Sequence, residues 1–294
     1  PVGLASGDGE ATGQHATGED DDDEVAGQDP RSDHALAFDF ERQQFAGRPA
    51  AVDREVAARL LDRLLESARR YPTDAGTRTR VPASEPGTGA ARLADVAPDP
   101  AKAGIFSADL INGFLREGSL SSERIDASTG PVLTLVRHAW DYGIRDFVFL
   151  QDAHPADTPE FEAYPAHAIA GTRESALIPE LASLPFANSF TIIEKNSLHP
   201  AIDTGFDAWL DAHPDLRTAI VIGDCTDLCV TALAMHLRLR ANAHGVQGFQ
   251  VIVPMDCVDT FDIPDDPDLP PGTAHPAEFF HAVWLYHLAS NNIR

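Results

Sequence analysis

Three residues widely separated in the 294-residue chain have the types needed for nucleophilic attack on a carbonyl carbon: Asp109, Lys195 and Cys229. Cys229 closes the stretch Gly223-Asp-Cys-Thr-Asp-Leu-Cys229, where an apolar strand should turn into a helix from Thr226 onward. A thiol in the first turn of a helix feels the positive end of the macrodipole and unpaired backbone N–H groups, which lower its pKa and can hold an oxyanion. On spacing alone, a small buried hydrophobe remains the alternative. Asp109 ends Ile105-Phe-Ser-Ala-Asp109 and could take the thiol proton and return it to a leaving amine. An N-cap or Asx turn is the other use of a carboxylate there. Lys195 follows Phe190-Thr-Ile-Ile-Glu194, and an ammonium between Asp109 and Cys229 would stabilise thiolate and carboxylate together; a solvated strand-end lysine is the alternative. Lys102 is the only other lysine beside 20 arginines, so a lysine kept at position 195 counts toward function.

A second constellation is Asp152-Ala-His154 with His167 after it. Asp and His two residues apart share one face of an extended segment. One carboxylate and two imidazoles suit a divalent metal, zinc first, with manganese or iron as alternatives. Glu160 lies between and could add an oxygen ligand. His138, His236, His281 and His287 fall on helical stretches and read as core or surface residues. Cys225 and Cys229 form C-x3-C, but with three cysteines in all there is no second pair for a structural zinc, and Cys257 reads as core.

What must position these groups is an alternation of short apolar runs with helical stretches beyond residue 100. The runs are 104–108, 147–151, 190–194, 219–223 and 249–254, and helices are expected near 125–143, 174–183, 203–213, 227–244 and 277–290. The pattern predicts an α/β fold, a parallel, doubly wound sheet of five to six strands with helices on both faces. In such sheets ligands bind beyond the carboxyl ends of the strands, and the residues just past the runs read Asp109, Asp152, Lys195 and Asp224. Neither a G-x-G-x-x-G turn nor a G-x-x-x-x-G-K-[ST] sequence is present, so dinucleotide and P-loop functions lose their main support.

Residues 1–34 hold ten acids, including the run Glu19 to Glu24, and read as a disordered acidic tail. Residues 35–100 read as a helical extension and loop: an amphipathic helix from Val52 to Tyr71, then a Pro- and Gly-rich linker over 72–100. Residues 101–294 form the expected catalytic domain. Apolar residues make up 43% of the chain, enough for a sizeable core, and the formal charge of −24 disfavours nucleic acid and anionic lipid as partners. No run of 18 apolar residues exists and the first residues given are polar and acidic rather than basic and then apolar, so neither a membrane span nor a signal peptide is expected, and the location expected is cytoplasmic.

From about Gly104 to the C-terminus the motifs resemble the isochorismatase-like cysteine hydrolase superfamily, and most closely its nicotinamidase branch. Asp109-Leu-Ile-Asn-Gly-Phe114 resembles D-x-Q-N-D-F, departing from it at Ile111 and Gly113. Asp152-Ala-His154 with Tyr164-Pro-Ala-His167 and Gly171-Thr172 is similar to D-W-H and W-P-x-H-x-x-x-G-T. Thr226-Asp-Leu-Cys-Val230 resembles T-D-Y-C-V. The resemblance implies Asp109, Lys195 and Cys229 as the catalytic triad, with Asp152, His154, His167 and, as in some members, Glu160 as metal ligands. It further implies Phe114 and Tyr164 as walls of the substrate pocket. A cis bond between Asp224 and Cys225 is implied too, with the N–H groups of Cys225 and Cys229 as the oxyanion hole. The expected activity is deamidation of nicotinamide to nicotinate and ammonia, a step of NAD salvage, on a small-molecule amide in a homo-oligomer. Its rivals are hydrolysis of another small amide, such as a carbamoyl or ureido compound, and a non-catalytic binding protein of the same fold.

Overall fold

Strands buried on both faces read as nearly continuous apolar runs, and the central strands here have that character: Ala103–Ala108 is buried along its whole length, as is Thr218–Asp224. The computed structural model describes residues 37–39, 44–46, 89–264 and 273–294. The expected acidic tail at 1–34 and the expected helix at 52–71 lie outside the described residues. Proximity of Cα atoms divides the chain into two units, Pro1–Val56 and Ala57–Arg294. In the first, β1 (Ala37–Asp39) and β2 (Gln44–Ala46) pair antiparallel, two strands where the sequence pattern pointed to none.

The second unit runs α1 (Gly89–Val96), β3 (Ala103–Ala108), α2 (Asn112–Leu115), α3 (Glu123–Asp126), α4 (Thr129–Tyr142), β4 (Asp146–Asp152), α5 (Pro179–Ala182), β5 (Thr191–Lys195), α6 (Phe206–Ala212), β6 (Thr218–Asp224), α7 (Cys229–Ala243), β7 (Gln250–Ile252), β8 (Val258–Asp259) and α8 (Ala277–Ser290). The main sheet has the order β5-β4-β3-β6-β7, with β8 also pairing β6, and every pairing is parallel. This is the doubly wound α/β sheet expected from the alternation.

Each face carries its own core. Odd-numbered side chains of the central strands, Ile105, Phe147 and Phe149, meet Val132, Val136 and Ala139 of α4. Even-numbered ones, Phe106, Val148 and Leu150, meet Phe206 of α6 and Val230, Leu233 and Leu237 of α7. Burying each such side chain fully is worth about 1.5–3 kcal/mol. The i, i+4 spacing of Val132 and Val136 explains why α4 is helical and which side it buries. It stops at Gly143, whose φ of 111° supplies the left-handed C-cap.

Within the second unit, the segments 72–100 and 174–183 depart from the expected elements. The stretch read as linker contains α1, whose Leu93 and Val96 pack in the same core as α4, while the Tyr142 hydroxyl donates to the Ala97 carbonyl at 2.9 Å. The helix expected over 174–183 shrinks to Pro179–Ala182. Residues 174–178 are drawn into pairing with 110–113 instead: Asn112 N–H donates to Ala176 O, Gly113 N–H to Glu174 O and Ile178 N–H to Leu110 O. Among the described residues, no helix is long and apolar enough to cross a membrane.

Candidate active site

The four adjacent strands β5, β4, β3 and β6 end together, and each delivers a polar residue at its carboxyl end. The register pairs Asp152 with Lys195 and Gly223 with Ala108. Asp109 comes one residue after β3 with φ of 54°, a left-handed conformation that Asp tolerates better than most residues. Its N–H is fixed by the Leu150 carbonyl at 2.9 Å. Beside it, Gly223 at φ of 112° lets β6 approach closely, since a Cβ there would lie 1.9 Å from the Ala108 carbonyl oxygen. No other residue type fits. The next peptide bond, Asp224–Cys225, is cis.

Lys195 is the centre of the buried cluster. Its Nζ lies 2.9 Å from Asp109 Oδ2, 2.5 Å from Asp152 Oδ1 and 3.7 Å from Cys229 Sγ. Asp109 Oδ1 accepts the Asp152 N–H at 2.7 Å. All four residues are buried. Burial and the neighbouring Asp152 charge push the Asp109 carboxyl up to about 6, against the opposing pull of Lys195. Burial alone would lower Lys195, but Asp109, Cys229 and Asp152 outweigh it and hold the ammonium well above its ordinary range. Burial drives the Cys229 thiol well up, and the Asp109 and Asp152 charges add to it while Lys195 opposes. This corrects the expectation that the helix N-terminus lowers it. In a buried pocket that already holds two carboxylates, desolvation wins, so the resting sulfur keeps its proton and faces a carboxylate able to take it. No backbone hydrogen bond among the described residues uses the N–H groups of Cys225 or Cys229.

Asp152 faces two ways. Its Oδ2 lies 3.5 Å from His154 Nε2, which is 3.9 Å from Glu160 Oε1. One donor atom each from Asp152, His154, Glu160 and His167 fall within 4.8 Å of one another. The arrangement fits a divalent cation. His154 Nδ1 bonds to Asn196 Oδ1 at 2.7 Å and His167 Nδ1 to the Pro165 carbonyl at 2.8 Å, an outer-shell pattern that fixes each ring and leaves Nε2 as the nitrogen available to a ligand. His154 Nε2 is buried without a hydrogen-bond partner. Asp109, Asp152 and Cys229 also converge, but there the cation is the Lys195 ammonium itself.

Phe114 and Tyr164 both flank the His167 ring, at centroid distances of 5.5 Å and 6.3 Å. Phe161, which the sequence reading passed over, packs 5.6 Å from His154 and 5.5 Å from His167. Asn196 was missed as well. Its place directly after Lys195, at the same strand end, was the signal that could have found it. Cys257 is buried in the core, as expected. Of the four histidines read as core or surface, His281 bonds to the Thr226 hydroxyl at 2.9 Å.

A parallel α/β sheet with an acid, an ammonium and a thiol converging at its carboxyl edge is the arrangement of a cysteine hydrolase class. Residues 103–267 match the isochorismatase domain, and the chain belongs to the isochorismatase-like superfamily, in its nicotinamidase branch. It is 31% identical over 199 residues to nicotinamidase 1 of Arabidopsis thaliana, a match covering 62% of this chain and 80% of that one. In fold it is similar to a cysteine hydrolase of Pseudomonas syringae pv. phaseolicola (TM-score 0.55, 20% identity, 67% of this chain and 88% of that one). It is also similar to the zinc complex of the pyrazinamidase of Pyrococcus horikoshii (TM-score 0.51, 20% identity, 66% and 97%).

Proposed function

We propose that the protein is an amide hydrolase whose substrate is nicotinamide, converted to nicotinate and ammonia in NAD salvage. The observation that carries this reading is the double role of Asp152: one oxygen binds the lysine between Asp109 and Cys229, and the other turns to the donor set of His154, Glu160 and His167. A thiol, an acid and a ligand-binding set are thereby held against each other.

In the first half-reaction the Cys229 thiol gives its proton to Asp109 as sulfur bonds to the carboxamide carbon. The carbonyl oxygen takes the negative charge and accepts hydrogen bonds from the N–H groups of Cys225 and Cys229. Asp109 passes the proton to nitrogen as the C–N bond breaks and ammonia leaves. In the second half, Asp109 deprotonates a water that attacks the thioester, and Cys229 leaves as the thiol. Lys195 stays an ammonium throughout and offsets the charge on whichever partner is ionised. A divalent metal held by Asp152, His154, Glu160 and His167, zinc before manganese or iron, would supply a Lewis-acidic anchor for the pyridine nitrogen. Phe114, Phe161 and Tyr164 would enclose the flat ring.

The test is ammonia release from nicotinamide, pyrazinamide and a panel of carbamoyl and ureido compounds, before and after chelation, with zinc or manganese restored. Metal-dependent turnover of the pyridine amides is the expected result. Hydrolysis of other amides alone would keep the triad and replace the substrate. One observation favours that second reading: buried Ile111 and glycine at 113, where a Cβ would meet Glu174 at 3.2 Å, replace the Gln and Asp usual in the motif.

A further inference from the structure

The turn that feeds Cys229 into α7 is tied down by residues from the C-terminal segment. Asp227, two residues before the nucleophile, is buried. Its Oδ1 accepts the Thr260 hydroxyl at 2.6 Å, and its Oδ2 lies 2.8 Å from His275 Nε2. The other ring nitrogen of His275 bonds to the Phe261 carbonyl at 2.9 Å. The imidazole is stacked between Phe261, at 3.9 Å and 16°, and Phe280, at 4.0 Å and 8°. Six residues along, His281 reaches the Thr226 hydroxyl at 2.9 Å, and the Thr226 N–H donates to the Asp259 carbonyl at 3.0 Å.

These bonds have a consequence for the helix that follows. Leu228, the N-cap of α7, makes no side-chain cap. Asp227 stands one position before that N-cap and spends both oxygens on Thr260 and His275, so it offers no acceptor to the helix start. Of the first turn, the Val230 N–H donates to the Cys225 carbonyl at 3.1 Å and the Ala232 N–H to the Leu228 carbonyl at 2.9 Å, while the Cys229 N–H meets no backbone carbonyl and is left for a ligand. Both histidines lie past residue 267, where the match to the isochorismatase domain ends.

We propose that His275 is a positioning residue for the nucleophile turn: by holding the Asp227 carboxylate away from the start of α7, with His281 steadying Thr226, it fixes Cys229 and keeps its N–H open for the substrate oxygen. The inference rests on the reading of Cys229 as nucleophile, but not on the identity of the amide. Without the clamp, Asp227 is free to turn back onto the helix, where it would occupy the oxyanion position and shift the sulfur. A misplacement of about 1 Å can cost about a hundredfold in rate.

The experiment uses the full chain loaded with zinc and the variant His275→Phe, which keeps an aromatic ring in the stack and removes both hydrogen bonds. Two quantities are read: steady-state turnover of nicotinamide, and the rate at which iodoacetamide alkylates Cys229, followed by peptide mass spectrometry. The expected result is a fall of about tenfold to a hundredfold in kcat with KM within about threefold, and a parallel fall in the alkylation rate. Partial recovery of both is expected in His275→Gln, which retains a donor. If the parent protein turns over no pyridine amide while alkylation still falls in His275→Phe, the substrate reading fails and the clamp stands. A folded His275→Phe protein with both rates within twofold of the parent overturns the clamp. If that variant does not fold, His275→Gln and Thr260→Val, which removes the other bond to Asp227, decide the matter by alkylation alone. No change in either overturns it.

Discussion

The two halves of the site are built on opposite electrostatic principles. Around Lys195 each carboxylate already has a cationic partner: one ammonium lies within 2.9 Å of both Asp109 and Asp152, in a pocket where every member is buried. Around His154 and His167 the matching is incomplete, with a buried ring nitrogen lacking a partner and two carboxylates facing it. A buried charge must be paired or it costs several kcal/mol. The first half satisfies that rule with its own lysine and is set for proton transfer. The second presents a donor set that a divalent cation would satisfy. Asp152 belongs to both, so the halves differ in chemistry while sharing a carboxylate.

The largest effect should come from the matched half alone. Cys229→Ala is expected to abolish amide turnover, by about 10⁴-fold or more, while zinc content measured by atomic absorption stays at the parent level; full activity in that variant would sink the mechanism. Asp152→Asn should damage both halves, lowering kcat by about 10²–10³-fold and zinc content together. A variant that loses only one of these would show that the shared carboxylate is not shared in function. His167→Ala should separate the halves from the other side: zinc is lost and nicotinamide turnover with it, but the rate of Cys229 alkylation stays within about twofold, because Lys195 and Asp109 are untouched. The smallest effect is expected from Asn196→Ala, which frees the His154 ring and should weaken zinc binding by about 10–100-fold, measured by competition with a chromophoric chelator, with kcat restored at saturating metal.

Much of this is legible in the sequence alone. The strand runs were found because strands buried on two faces must be apolar throughout, and their ends marked Asp109, Asp152 and Lys195 because ligand groups collect there. Elements that depend on partners were not legible. β8 has only two residues, Val258 and Asp259, and owes its existence to the edge offered by β6. α1 begins Gly-Ala-Ala and is too short to be stable alone; its Leu93 and Val96 form a helix because the α4 face is there to receive them. Residues 174–178 lost their expected helix to the backbone partners presented by 110–113.

The candidate site divides along the same line. Its residue types were set by local sequence, since an acid, a lysine and a thiol at strand or helix ends are recognisable from the period of the pattern. Their protonation was not, because it depends on what else is buried nearby. Cys229 at a helix start reads as a thiolate, yet 3.7 Å from Lys195 in a pocket with two carboxylates it holds its proton. Nor could any spacing rule connect His275 to Asp227, 48 residues apart and joined by a 2.8 Å bond. Sequence determined which elements form and which groups stand at their ends, because those follow from neighbours along the chain. Which charges meet, and how far water is excluded from them, was decided by the tertiary fold, because electrostatic energies depend on distance and desolvation in space.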